Sequence, residues 1–169
     1  MRHLFAAILL ATVLAPSVSQ AQSRLSAEEL IGFEGTWALD AEGSEPGPAE
    51  SRVIRVATDG LAVAIHRRQD APPVMLMYKF DGSDSVSPFG QSTATSRLRL
   101  EGDKLLTVTV FIVSDAPVTV HELLRLNAER TELTVETMAR VEHGYQGVRP
   151  SGDSKTPNVG TAVRVFRRK

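Results

Sequence analysis

"ELTVETMARVE", residues 132–142, decides how the chain is read. Leu133, Val135, Thr137, Ala139 and Val141 fall on one side; Glu132, Thr134, Glu136, Arg140 and Glu142 fall on the other. Side chains alternate across a strand with period two, so this is a strand with one buried face and one wet face. The alternation recurs outward from it, in Leu106, Val108, Val110 and Ile112, and in Val74, Leu76, Tyr78 and Phe80. Leu61, Val63 and Ile65, the pair Ile54 and Val56, and the pair Val163 and Val165 repeat it again. Turn chemistry separates these runs at Thr58-Asp59-Gly60, Asp81-Gly82-Ser83-Asp84, Glu101-Gly102-Asp103-Lys104 and Asn127-Ala128-Glu129-Arg130. The pattern predicts an all-β chain of eight to ten antiparallel strands, as an up-and-down barrel or a sandwich. Closure into a barrel removes exposed strand edges. Such a barrel either encloses one small ligand or fills itself with side chains.

Before the first strand, Ser26-Ala27-Glu28-Glu29 has the form of a capping box and predicts a short helix over 27–32. Further upstream, Arg2 and His3 precede an apolar run from Leu4 to Leu14, then Pro16 and Ser19-Gln20-Ala21. That is the form of a secretory signal peptide over residues 1–21, with a single barrel domain over 22–169. The apolar run is too short to span a bilayer, and no second run approaches that length. The expected protein is exported, to the periplasm or the medium, with no membrane span. The chain has no cysteine, which excludes a disulfide scaffold, a thiolate metal site and a cysteine nucleophile. A mature chain of roughly 150 residues is large enough to be held by its core alone. Formal net charge is -1 with both signs interspersed, so no nucleic-acid surface is expected.

The only tryptophan lies in "GTWALDAEGSEPGPAE", residues 35–50. Gly35 suits a close turn into a strand, and Trp37 brings enough apolar surface to plug one end of a barrel, with Leu39 on the same face. Gly35, Thr36, Trp37, Leu39, Asp40, Ser44 and Pro46-Gly47-Pro48 together resemble the start of bacterial lipocalin-like domains, an exported family with a Gly-x-Trp motif. Weaker matches are Asp59-Gly60, "YKFDG" at 78–82, "TELTVET" at 131–137 and "VRVFRR" near the end; "NAERTEL" departs from the family's usual turn. The resemblance implies a lipocalin-like barrel that binds a small apolar or amphipathic molecule without catalysis. It also implies an arginine of the last strand, Arg164 or Arg167, stacked on Trp37.

Candidate sites are sparse. His66 and His121 fall on outward faces, His143 lies in a loop, and no metal-ligand spacing or nucleophile elbow is present, so neither metal nor cofactor is expected. Glu122 shares a face with Val118, Val120, Leu124 and Leu126. A carboxylate there is a bulge or rim residue, half of a structural ion pair, or a polar contact for a ligand. Tyr78 and Phe80 would line a hollow barrel or fill a solid one, and Met75 and Met77 point outward. Phe89 reads as a loop residue shielding a barrel end. "HGYQGVRPSGDSKTPNVG", residues 143–160, has no periodicity and reads as passive cover or as a lid over the mouth that would bring Tyr145 to a ligand. The expected ligand contacts are Tyr78, Phe80, Glu122 and Tyr145. The alternative is a filled barrel that meets a protein or envelope component through its outer surface.

Overall fold

In the computed structural model the described residues are 25–45, 49–67, 70–142 and 158–169. Ten strands form one antiparallel sheet: β1 (Gly35–Leu39), β2 (Ser51–Val56), β3 (Gly60–His66), β4 (Val74–Lys79), β5 (Ser85–Phe89), β6 (Ser92–Glu101), β7 (Lys104–Val113), β8 (Ala116–Leu126), β9 (Glu132–Val141) and β10 (Asn158–Arg168). Their order is β4-β3-β2-β1-β10-β9-β8-β7-β6-β5, so each strand pairs with its sequence neighbour except at the β1–β10 pair and between β4 and β5. Of the two architectures the alternation allows, this is the barrel: nearly closed, up-and-down and lipocalin-like, with the one short helix that the capping box predicts. The expected signal peptide, residues 1–21, lies outside the described residues.

The seam between β4 and β5 has a local cause. Pro88 in β5 has no N–H to donate, which confines it to a strand with a free side. The Met77 backbone N–H instead donates to the Ser87 hydroxyl at 3.0 Å, a side chain standing in for a ladder carbonyl. Phe89, expected in a loop, ends β5 and stacks on Phe111 with ring centroids 4.3 Å apart. A two-residue turn with Ser114 at φ 46° and Asp115 at φ 65° joins β7 to β8, the geometry that matches strand twist.

One end of the barrel is plugged. The helix α1 (Ala27–Leu30) carries the expected capping box and runs into a 3-10 turn over Ile31–Phe33. Leu30, Phe33 and Trp37 are buried there with Leu61, Phe80, Leu105, Leu133 and Phe166. The Trp37 indole N–H donates to the Phe33 carbonyl at 3.0 Å. The guanidinium stacked on the indole, 4.4 Å from the ring centroid, belongs to Arg168. This corrects the expectation of Arg164 or Arg167: Arg168 pairs directly with Trp37 across the ladder. It also donates to the carbonyls of Gly32, Glu34 and Arg130, at 2.8, 2.7 and 2.9 Å. Gly35 has φ +149°, and a Cβ there would lie 2.8 Å from Arg168 Nη1. Only glycine fits under this stack.

The strand β7 inverts its sequence reading. Leu105, Thr107 and Thr109 are buried inside, while Leu106, Val108, Val110 and Ile112 face outward. In β10 the inner face is likewise Arg164 and Phe166, and Val163 is exposed outside. The more aliphatic face of both strands is therefore the outer one.

Candidate functional site

The barrel interior changes character along its axis. Above the plug, β5, β6 and β7 present small hydroxylated side chains inward: Ser85, Ser87, Ser96, Thr107 and Thr109, all buried. The Tyr78 hydroxyl reaches across from β4 to Thr109, 3.3 Å away, and Thr109 lies 3.3 Å from Ser96. Among the described residues, the Ser85 hydroxyl is the buried side-chain atom with no hydrogen-bond partner. Burial, then the charge of Glu122, pushes the Tyr78 phenol up to about 12. Tyr78 and Phe80, expected against a ligand, are 2 % and 3 % exposed and belong to the packed core.

Beside this hydroxyl wall lies a chain of buried charges. Glu122 faces inward from β8 and accepts two hydrogen bonds from Arg52, at 3.1 and 2.8 Å. Arg52 Nε donates to Glu50 at 2.7 Å, and Arg164 Nη1 donates to the other Glu50 oxygen at 2.6 Å. Arg67 lies 3.6 Å from that same oxygen. The Arg52 guanidinium also rests 5.2 Å from the Phe166 ring centroid. Burial favours a neutral Glu122, but the Arg52 charge and its hydrogen bonds outweigh it and hold the carboxyl below its usual range. For Arg52 burial likewise opposes the charge, and Glu122 and Glu50 together raise its pKa. Of the three readings open for Glu122, the ion pair is the one the structure takes, at the place the alternation put it.

The sequence reading did not name Arg52 or Glu50, and it put Arg164 on Trp37 rather than in this cluster. A signal for them existed. Ile54 and Val56 mark the inner face of β2, and counting back by two reaches Arg52 and then Glu50. Counting back by two from Phe166 reaches Arg164.

The inner wall opens next to this cluster. One row across β8, β9 and β10 is Glu122, Thr137 and Ala162; the next is Val120, Ala139 and Gly160. Val120, Thr137, Ala139 and Ala162 are half-buried although they face inward. Among the described residues, a Cβ built on Gly160 would meet nothing within 4 Å. The Arg164 side chain is 23 % exposed at the foot of this wall, whereas Glu50 is fully covered. The mouth thus has a smooth small-residue wall, a charged floor and two accessible guanidinium groups, Arg164 and, at the rim, Arg67. Counting Arg52, Arg67 and Arg164 against Glu50 and Glu122, the cluster carries one surplus positive charge. Tyr145, expected at a ligand, lies outside the described residues.

A separate groove of about 890 Å3 lies on the outside, lined by Thr36, Ala38, Val53, His66, Arg67 and Lys169 among others. It meets the mouth at Glu50 and Arg67. Met75 and Met77 point outward on β4, 43 % and 44 % exposed. Among the described residues no three His, Asp or Glu side chains are grouped to hold a metal ion, and no helix is long and apolar enough to cross a membrane.

No protein-family model matches the chain, and no curated protein sequence matches it. Similarity is found among solved structures. A secretory abundant heat soluble protein from Ramazzottius varieornatus superposes with TM-score 0.56 at 12 % identity, over 82 % of this chain and 96 % of that one. The N57A mutant of the fluorescent protein UnaG superposes with TM-score 0.49 at 18 % identity, over 83 % of this chain and 98 % of that one. At these identities the likeness concerns the fold. The chain has the lipocalin-like barrel architecture shared by the first of these proteins.

Proposed function

We propose that this protein is an exported, non-catalytic carrier of a small amphipathic molecule. The ligand's apolar body would lie against Ala139, Gly160 and Ala162, with its polar end toward Arg164. The observation that carries this reading is the open inner wall beside a buried charge cluster: inward-facing Ala139, Thr137 and Ala162 are half-buried, and among the described residues nothing lies within 4 Å of a Cβ built on Gly160. A barrel that served only as a solid block would bury such positions under larger side chains, as it does at the plugged end. The surplus positive charge of the cluster suits a ligand bearing a single negative or strongly hydrogen-bond-accepting group. Export rests on the signal-like residues 1–21, and the core is large enough for a cysteine-free chain to do without disulfides.

Native mass spectrometry tests the reading. The protein, purified gently from its host's envelope fraction or incubated with a lipid extract of that host, should carry a reproducible added mass that leaves on mild denaturation. A bare mass under both conditions contradicts the carrier reading. The outer groove by β1–β3 favours a second reading, in which the protein meets a partner through its surface.

A further inference from the structure

The inverted strand β7 leaves an apolar patch on the outside of the barrel. Three rows of outward side chains cross β7 to β10 in register. The middle row is Val108, His121, Met138 and Thr161. On one side lie Leu106, Leu123, Glu136 and Val163; on the other lie Val110, Thr119, Arg140 and Val159. Val110, Met138, Val163 and Val159 are between 37 % and 59 % exposed. A shallow groove of about 260 Å3 is centred here, lined by Leu106, His121, Leu123, Glu136, Met138 and Thr161 among others. On a two-sided sheet the outer face normally carries polar residues, so this patch needs an occupant.

We propose that the patch pairs two copies of this chain about a two-fold axis lying along the middle row. The rows are self-complementary under that operation. Each middle-row residue meets its own equivalent, Leu106 meets Val110 of the partner subunit, and Val163 meets Val159 of the partner subunit. The two charges at the centre of the outer face of β9 are matched as well: Glu136 falls opposite Arg140 of the partner subunit, and the reverse, giving two ion pairs. Among the described residues Glu136 has no ion-pair partner within its own chain, while Arg140 holds Glu142 at 2.8 Å. Facing sheets stack about 10 Å apart with strands within about 30° of each other, which keeps the rows near the axis in contact. A bilayer is a poorer occupant, because it would desolvate Glu136 without a counter-charge.

The size of the patch sets the strength. Four strands about 4.8 Å apart and about seven residues of about 3.3 Å each cover at most roughly 450 Å2 on each copy, or about 900 Å2 in total, with the contact deepest at β8 and β9 because the outside of a barrel is convex. That is the size of a weak, concentration-dependent association.

Sedimentation velocity on the purified protein, from about 1 µM to about 1 mM, tests the pairing with a charge exchange. The native protein should shift from monomer to dimer within that range. Glu136→Arg and Arg140→Glu, each alone, set like charges face to face and should weaken the dimer about tenfold or more. The double variant Glu136→Arg/Arg140→Glu rebuilds both pairs with their signs exchanged and should return to within about threefold of the native affinity. Circular dichroism should be unchanged in all three, since both positions are outside the core. A protein that stays monomeric throughout, or a double variant no better than the singles, overturns the proposal. So does binding to phosphatidylcholine/phosphatidylglycerol vesicles that Glu136→Arg strengthens and the double variant does not reverse, which would assign the patch to a membrane surface.

Discussion

The two sides of the plug carry the same kind of group, a guanidinium over an aromatic ring, in opposite surroundings. At the plugged end Arg168 covers Trp37 from the solvent side and spends its N–H groups on three backbone carbonyls. On the plug's inner side Arg52, the ladder neighbour of Trp37 on β2, lies over the plug residue Phe166 at 2 % exposure and spends its N–H groups on two carboxylates. The first arrangement needs no compensating charge, because carbonyls and nearby water share the guanidinium. The second depends on its counter-charges, because a buried ion is tolerated only while it is paired. The outer side of the plug is therefore a stable lid, and its inner side is a poised polar floor whose integrity depends on protonation.

The sharpest way to break the contrast is Arg52→Met. It strands Glu122, while Glu50 keeps Arg164 and Arg67, and should cost about 3–5 kcal/mol in urea unfolding at pH 7. Its cost should shrink in acid. Glu122 in the fold titrates below its ordinary range, so the stability it contributes is present above the ordinary carboxylate pKa and is lost as pH falls through the lower, folded value. Native and variant curves should therefore converge below about pH 4. A cost that stays constant with pH would show that the ion pair is not what Arg52 contributes.

Trp37→Ala, in the plug itself, should cost about 3–4 kcal/mol through the cavity it leaves, with the same value at pH 7 and pH 4. Gly35→Ala should cost about 1–2 kcal/mol, because a Cβ at that φ collides with Arg168. Thermal melts of Gly35→Ala alone and combined with Arg168→Ala would show the coupling: removing Arg168 should recover part of the Gly35→Ala loss. The smallest effect concerns alkaline conditions. Tyr78 is pushed up to about 12, so the fold holds its proton longer than the unfolded chain does. Stability from this group is intact below about pH 10 and declines as pH rises from about 10 to about 12. Tyr78→Phe should flatten that decline, read by fluorescence-monitored unfolding at fixed urea.

The plugged end was legible in the sequence because its parts are local and distinctive. Ser26 with Glu29 announces the cap, and Gly35 with Trp37 announces the turn and the plug. Arg168 was legible only as one of several basic residues near the terminus, because the β1–β10 register selects among them. The mouth was partly legible. Alternation placed Glu122 inside, but its partner Arg52 is 70 residues away in sequence, and only barrel closure brings them together. In β7, aliphatic content favoured Leu106, Val108, Val110 and Ile112 as the buried face. The fold instead buries Thr107 and Thr109, where Thr109 meets the hydroxyls of Tyr78 and Ser96. Period two identifies a strand without saying which face is inside when both faces are apolar enough.

The carrier reading is tested most directly by titration with 1-anilinonaphthalene-8-sulfonate, an aromatic body with one anionic group. The native protein and Ala162→Trp, which fills the space above the inner wall of β10, should be compared at equal concentration. The account predicts one saturable site in the native protein, weakened at least tenfold in Ala162→Trp while the far-UV spectrum and melting temperature stay close to native. Equal binding by both proteins, or no saturable binding by either, would contradict a ligand site at the open wall.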